Sequence, residues 1–442
     1  GTGEAAGSGV GRGLLPNQTL YWSSPPYRLG GMGGAHGGRG GHGAAYNDAS
    51  LSDAILALPS VHYDDLVSPS LAGSGGSSGM YCSHASYCPV SPGVRSGGAG
   101  GGVLSIEVTG VLSLASASTI ISANGANGES GLYSNPHRYS GGGGGSGGSI
   151  KIVAGSVAGS GQILADGGVG GNMYSGGGVC GGGGGGGRIS VSVATSLAPT
   201  VTLRAAGGQS SCSTSHWYYL GRRGGAGTVF TAVAGTRSVV VDNGDTSAVA
   251  TGGESVLDAS MTGGMALSVS SMRLIGSRVV LDDWALSVGV LTIETSNCSI
   301  VRSAGSVAMA DVVSVTSSFV TSSNDLSVSN TGTLNMSSTI WHAHGTLTSA
   351  ELVTLSSASS LWMHHMSHVS RLEIVDSGSS VRAIDGVVLL EIGSGLIRGK
   401  VYGSNVTLIC AGDLALEGGD VQADGTGEAA GSGVGRGLLP NQ

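Results

Sequence analysis

From residue 238 onward, short apolar segments alternate with polar turns: SVVVD, ESVLD, MRLIG, VLTIE, VVSVT, TLNMS, ELVTL, RLEIV, VVLLE and VTLIC. One central apolar residue from each gives Val240, Leu257, Leu274, Ile293, Val315, Leu334, Val353, Leu372, Leu390 and Leu408. The intervals are 17, 17, 19, 22, 19, 19, 19, 18 and 18 residues. No stretch holds apolar residues at helical spacing over ten or more positions. The Asn-Gly turns that announce hairpins are scarce. So steady a return predicts a coil in which each turn stacks on the last, a parallel β-solenoid. Stacking at ~4.8 Å pairs every strand with its neighbours and lines Val, Leu and Ile into inward ladders. Ser, Thr and Gly are expected to turn the corners and keep the outside wet.

The first half follows a longer unit. GGAGGGVLSIEV, GGGGGSGGSIKIV, CGGGGGGGRISVSV and GGAGTVFTAV each set a glycine run before an alternating strand. Their reference residues Ile106, Ile152, Val191 and Val229 lie 46, 39 and 38 apart, about two rungs each. A second short strand follows the first three: TIISANG, QILADGG and TLRAAGG. The glycine runs are expected as loops or tightly packed extended segments, because glycine alone lets backbones approach closely. A local polyglycine-II bundle is the alternative for the longest.

The words GTGEAAGSGVGRGLLPNQ open the chain at 1–18 and return at 425–442. The second copy is entered through Val421-Gln422-Ala423-Asp424-Gly425, a relative of Ile163-Leu164-Ala165-Asp166-Gly167. The expectation is one 424-residue unit of a tandem array plus an 18-residue overlap. The organisation read from the sequence is a seam at 1–18 and a glycine-rich entry with a cysteine-containing insertion at 19–100. Glycine-rich two-rung units follow at 101–237, regular rungs at 238–424, and the next repeat at 425–442. Roughly twenty rungs would add about 100 Å per copy.

Glycine numbers 85 of 442 residues, far above the usual ~7%. Hydrophobic residues still make up 40%, enough for a thin continuous core, so disorder fits poorly. A formal net charge of −8 with two lysines leaves no basic stripe for nucleic acid. No apolar run reaches the ~20 residues of a membrane-spanning helix. Asn17, Asn297, Asn335 and Asn405 head glycosylation sequons. Cys82 and Cys88 suit a small disulfide loop, and Cys180 and Cys212 follow similar glycine runs and could meet on neighbouring layers. Together these point to an extracellular or cell-surface protein.

AHGGRGG at 35–41, the aromatic Tyr46, the SIxV strand, ISANG, GGGGGSGGSIKI and GGGGGGGRISV occur in that order. Over about residues 29–230 the chain thereby resembles the large glycine-rich extracellular β-helix proteins of microbes, protists and plants. The resemblance implies an all-β, right-handed parallel β-helix with glycine-rich loops, secreted or surface-exposed, and brings no catalytic residues.

Several constellations invite a chemical reading. The glycine runs lack the Gly-Lys-Ser/Thr that opens a helix in phosphate loops. Asp64-Asp65 and Asp282-Asp283 are carboxylate candidates for a polysaccharide lyase or hydrolase, but read best as exposed turn acids. His342 and His344 share a face that His364 or His365 of the next layer can approach, a weak metal candidate beside an external ladder of stacked rings. Cys298 and Cys410 lie too many rungs apart to pair with each other. His216, Trp217, Tyr218 and Tyr219 could stack on sugars, with Arg222 and Arg223 near acidic groups. The sequence therefore predicts a structural filament shaft with no cofactor, whose partners are further copies of the repeat, lateral neighbours or surface glycans. A giant carbohydrate-binding adhesin is the alternative, and a polysaccharide-degrading enzyme the third reading.

Overall fold

The computed structural model describes residues 3–5, 8–12, 27–46, 61–82, 95–131, 133–134, 137–138, 140–173, 179–211, 221–244, 253–263, 266–276, 278–282, 286–294, 296–301, 307–322, 326–328, 332–348, 350–384, 387–403 and 405–423. These residues are essentially all-β, with one short 3-10 turn at Ala259–Thr262 and a large, mostly parallel sheet. The chain forms two compact units, Gly1–Val280 and Leu281–Gln442.

In the first unit the alternating stretches become long strands, Val103–Leu114, Ser149–Gly159, Arg188–Leu197 and Thr228–Val233. Each is parallel to the next, with Ile106 opposite Ile152, Ile152 opposite Val191 and Val191 opposite Thr231. The expected last partner, Val229, instead faces Ile189, one alternation earlier. The short strands Ile120–Ser122, Gln162–Leu164 and Thr202–Arg204 form a second parallel ladder. Ile150, Ile152, Ile163, Ile189, Val191 and Val229 pack into one apolar core between the two ladders.

The glycine runs are not loops. They are buried extended segments that hydrogen-bond sideways with a period of three. Gly142, Gly145 and Gly148 donate to Glu129, Ala126 and Ala123, while Gly143 and Ser146 donate to Ser77 and Ser74. Gly141, Gly144 and Gly147 donate to Val179, Gly182 and Gly185. The same segment accepts from Gly31 and Gly34, from Gly98 and Gly101, and from Gly168 and Gly171. Six neighbours thus surround residues 141–148, the threefold pattern of a polyglycine-II bundle. A Cβ on Gly144 would lie 2.0 Å from the Gly168 carbonyl oxygen, so no other residue fits there. The Asn-Gly and Asp-Gly motifs serve the same layers: Asn124 Oδ1 accepts from Asp166 N, and Asp166 Oδ1 accepts from Ala206 N.

A hairpin that the sequence did not announce joins Thr228–Val233 to Thr236–Asp242. Its turn residues, Ala234 and Gly235, both have positive φ, as a two-residue turn requires. Val240 packs on the first core, whereas Val239 and Val241 are buried on the opposite face. Val241 then pairs with Leu274, so Leu257 lies outside the ladder its spacing suggested.

In the second unit the chain returns to three parallel ladders. One runs Ile293, Val315, Met336, Leu355, Ile374, Ile397, Leu416. Another runs Cys298, Val320, Trp341, Leu361, Val381, Val401, Val421. The third runs Val307, Leu326, Leu347, Met366, Leu390, Leu408. Leu390 and Leu408 therefore belong to a different ladder from Leu334, Val353 and Leu372. The corners also differ from expectation. Ser296, Ser318, Thr339, Ser359 and Ser379 are buried, not wet. Their hydroxyls serve backbone groups: Ser318 Oγ accepts from Ser296 N, Ser359 Oγ from Thr339 N, and Ser379 Oγ from Ser359 N. Positive φ at Ser317, Ser338 and Ser357 makes the same turn in successive rungs.

Candidate functional site

The densest polar cluster lies in the first unit, where residues 61–72 cover the starts of two long strands. The side chain of Asp64, expected as an exposed turn acid, is 2% exposed. Its carboxylate accepts from Ser149 Oγ at 2.8 Å, from the amides of Ser70 and Leu71, and lies 3.2 Å from His36 Nε2. His36 Nδ1 sits 3.0 Å from Gly147 O, and the Tyr63 ring packs on the imidazole at 4.7 Å. Arg188, fully buried, donates from Nε to Tyr63 O and from Nη1 to Thr228 Oγ1. His62 Nε2 lies 2.9 Å from Asp258 Oδ2.

The electrostatics follow from this burial. Burial alone would raise the Asp64 carboxyl, but the hydrogen bonds from His36, the Leu71 amide and Ser149 hold it well below the usual carboxylate range. Burial lowers His36, against the pull of Asp64. Burial also lowers Arg188 to about 10, while Asp64, Asp65 and Asp258 favour its charge. The Tyr63 phenol is pushed up to about 12 by burial. Ser149, His36 and Asp64 resemble a nucleophilic trio in composition only. Serine and carboxylate share one ring nitrogen, and no substrate reaches side chains this enclosed. The cluster is a clamp that holds residues 61–72 on the strands. Only Asp64 stands out in the sequence, because its partners lie 28, 85 and 124 positions away.

In the second unit a row of side chains stacks along one ladder. The His342 ring lies 5.3 Å from Phe319 and 5.3 Å from Trp362. Arg382 sits over the rings of Trp362 at 5.2 Å and Tyr402 at 5.3 Å. Burial and the neighbouring His344 lower the His342 pKa. Register puts Trp362 opposite His342 and Met363 opposite Ala343, one position before His344 and His364. His344 is exposed, His364 is half-buried, and His365 lies 3.6 Å from Glu391. Among the described residues no group of three or more His, Cys, Asp or Glu could hold a metal ion.

A cavity of about 330 Å³ in the first unit is lined by Asp166, Arg204, Gln209, Arg223 and Asn243 among others. Arg204 grips Asp166 through Nε and Nη2, and Arg223 donates to Gly207 O and Asn243 O. Arg222 is half-buried beside this cavity-lining residue, whereas His216, Trp217, Tyr218 and Tyr219 lie outside the described residues.

Asn335 and Asn405 are exposed on strands. Asn17 and the Asn297 side chain lie outside the described residues, as do Cys88, Cys212, the Cys82 side chain and the Asp283-Trp284 pair. Cys180 is fully buried and is not a free thiol. Cys410 is a half-buried free thiol, and the Cys298 side chain is outside the described set. No helix among the described residues is long and apolar enough to cross a membrane. Comparison with known proteins gives no matching family, no matching curated protein and no matching solved structure.

Proposed function

We propose that this chain is a length of the shaft of an extracellular filament, built from tandem 424-residue units wound as a right-handed parallel β-helix. The observation that carries this reading is the use made of the repeated words. Glu4 N donates to Gly73 O, Gly100 N to Glu4 O, Gly75 N to Ser8 O and Ala35 N to Gly11 O. Residues 3–5 and 8–12 of the opening words are thus members of the glycine bundle, and the second copy at 425–442 has the residues to serve a following unit in the same way. The resemblance to glycine-rich extracellular β-helix proteins fits this role. In the same reading the exposed Asn335 and Asn405 would carry glycans, and Cys180 would pair with Cys212.

Electron micrographs of the parent filament should show an axial repeat that corresponds to one 424-residue unit; a fibre without that periodicity would defeat the proposal. A second reading, as an adhesin, draws support from the polar cavity beside Arg223. Binding to an array of glycans, lost on Arg223→Ala, would favour it over a purely structural shaft.

A further inference from the structure

Two sets of strands in this protein are covered on one side only. Among the described residues, Val103–Leu114 pairs only with Ser149–Gly159, and Ile120–Ser122 only with Gln162–Leu164. Their core-facing Leu104, Ile106, Val108, Leu112 and Ile121 are half-buried, whereas Ile150, Ile152 and Ile163 one layer on are fully buried. Among the described residues the last strands of the second unit, Asn405–Cys410, Leu414–Leu416 and Asp420–Gln422, likewise pair only with the rung before them. Leu414, Leu416 and Val421 are 37%, 52% and 39% exposed, while Ile397 and Val401 in that previous rung are 0%.

The two open rungs carry one pattern. Leu104, Ile106, Val108, Leu112 and Leu114 are spaced by 2, 2, 4 and 2 residues, and so are Val406, Leu408, Cys410, Leu414 and Leu416. A glycine, Gly110 or Gly412, sits at the same place in each. Each rung then turns into Ile121-Ser122-Ala123-Asn124-Gly125 or Val421-Gln422-Ala423-Asp424-Gly425. Over Val406, Leu408 and Cys410 the last rung follows its own unit, facing Val388, Leu390 and Ile392, and it shares its five-residue spacing with the first rung.

The glycine bundle shows where such a rung belongs. Its segments follow one another through Gly100 N to Glu4 O, Ala126 N to Ala99 O, Gly145 N to Ala126 O, Gly168 N to Gly145 O, and Gly184 N to Gly168 O. Small-residue segments alternate with glycine runs along this row. The small-residue segments 123–131 and 165–171 continue directly from the short strands Ile120–Ser122 and Gln162–Leu164. Residues 3–5 hold the next small-residue place in the row. In sequence, the identical residues 427–429 follow closely on the strand Asp420–Gln422.

We infer that rung 405–422 of one copy of this chain docks, parallel and in register, on rung 103–122 of a second copy. Leu104 then faces Val406, Ile106 faces Leu408, Val108 faces Cys410, Leu112 faces Leu414 and Ile121 faces Val421. This deepens the tandem-filament reading and rests on it, by naming the surfaces through which successive units join. The half-exposed residues of both rungs become one continuous apolar ladder, and two open strand edges are paired.

The register can be read with one new cysteine in the full chain. Val108→Cys should place a thiol opposite the native Cys410 of a neighbour, within the ~4.4–6.8 Å between Cα atoms that a disulfide spans. Mild oxidation should give disulfide-linked dimers and longer oligomers. Their 108–410 linkage, identified by mass spectrometry, should exceed that of Ile106→Cys, two positions out of register, by at least about tenfold. Cys410→Ser should abolish it. Should Val108→Cys misfold, Ser105→Cys mixed with Thr407→Cys tests the same register through outward side chains. Equal linkage from Ile106→Cys and Val108→Cys, or none from any pair, overturns the docking. The axial repeat of the parent fibre remains the separate judge of the tandem reading.

Discussion

At the residue scale, the first unit depends on what glycine lacks. The peptide groups of residues 141–148 face six neighbouring segments, and the space between those backbones is narrower than a methyl group. Gly144→Ala would drive its Cβ into the Gly168 carbonyl, which is itself held by the bundle and cannot retreat. The expected loss exceeds about 3 kcal/mol in denaturant unfolding of the first unit. At Gly110 a methyl group would meet nothing within 4 Å, so Gly110→Ala should leave stability unchanged or raise it by up to about 1 kcal/mol. A pH effect belongs to this scale as well. Burial, Arg222 and Arg39 lower His42 from 6.5 to about 4. Between those values the unfolded chain binds the proton and the folded chain does not, so stability should fall as pH drops from 6.5 to 4. The full effect is on the order of 3 kcal/mol. His42→Gln should flatten that part of a stability curve measured by denaturant titration.

At the element scale, a strand in the second unit has two faces with different duties. Trp341 is fully buried, and its indole N–H donates to Ser322 Oγ at 3.2 Å. Trp362, one rung later, points outward into the stack with His342 and Arg382. Trp341→Ala should cost about 3–5 kcal/mol and leave Ser322 without its partner. Trp362→Ala should cost about 1 kcal/mol, the worth of a ring stack and a cation over its face. Thermal unfolding of the two variants side by side checks the difference. The corners show the same economy of position: a hydroxyl such as Ser359 replaces the strand pairing that the bend removes.

At the scale of the whole molecule, the chain combines apolar ladders with a bundle whose interior is mainly peptide. Unfolding the bundle exposes more polar and less apolar surface than unfolding an ordinary core. Apolar exposure raises heat capacity and polar exposure lowers it. Calorimetry should therefore give a ΔCp per residue clearly below the usual ~12–15 cal/mol/K. A value within that range would mean that the glycine segments contribute little cooperative structure.

Alternation of apolar and polar residues located one strand of each turn, and Ile152 and Val191 sit in the core where their spacing put them. The other strands of each turn were not named by it. The return every twenty or so residues was equally plain, because each rung repeats one local pattern. Which ladder a strand joins was not plain. Leu390 falls eighteen residues after Leu372 yet pairs with Met366, since pairing depends on where each corner bends, and a bend shifts register without altering composition. Glycine runs announced close approach but not their six neighbours, because residues without side chains carry no mark of their partners. The clamp of Asp64, His36, Ser149 and Arg188 was decided by tertiary structure alone. Charges that read as solvated in the sequence are held buried by groups that only folding brings within reach.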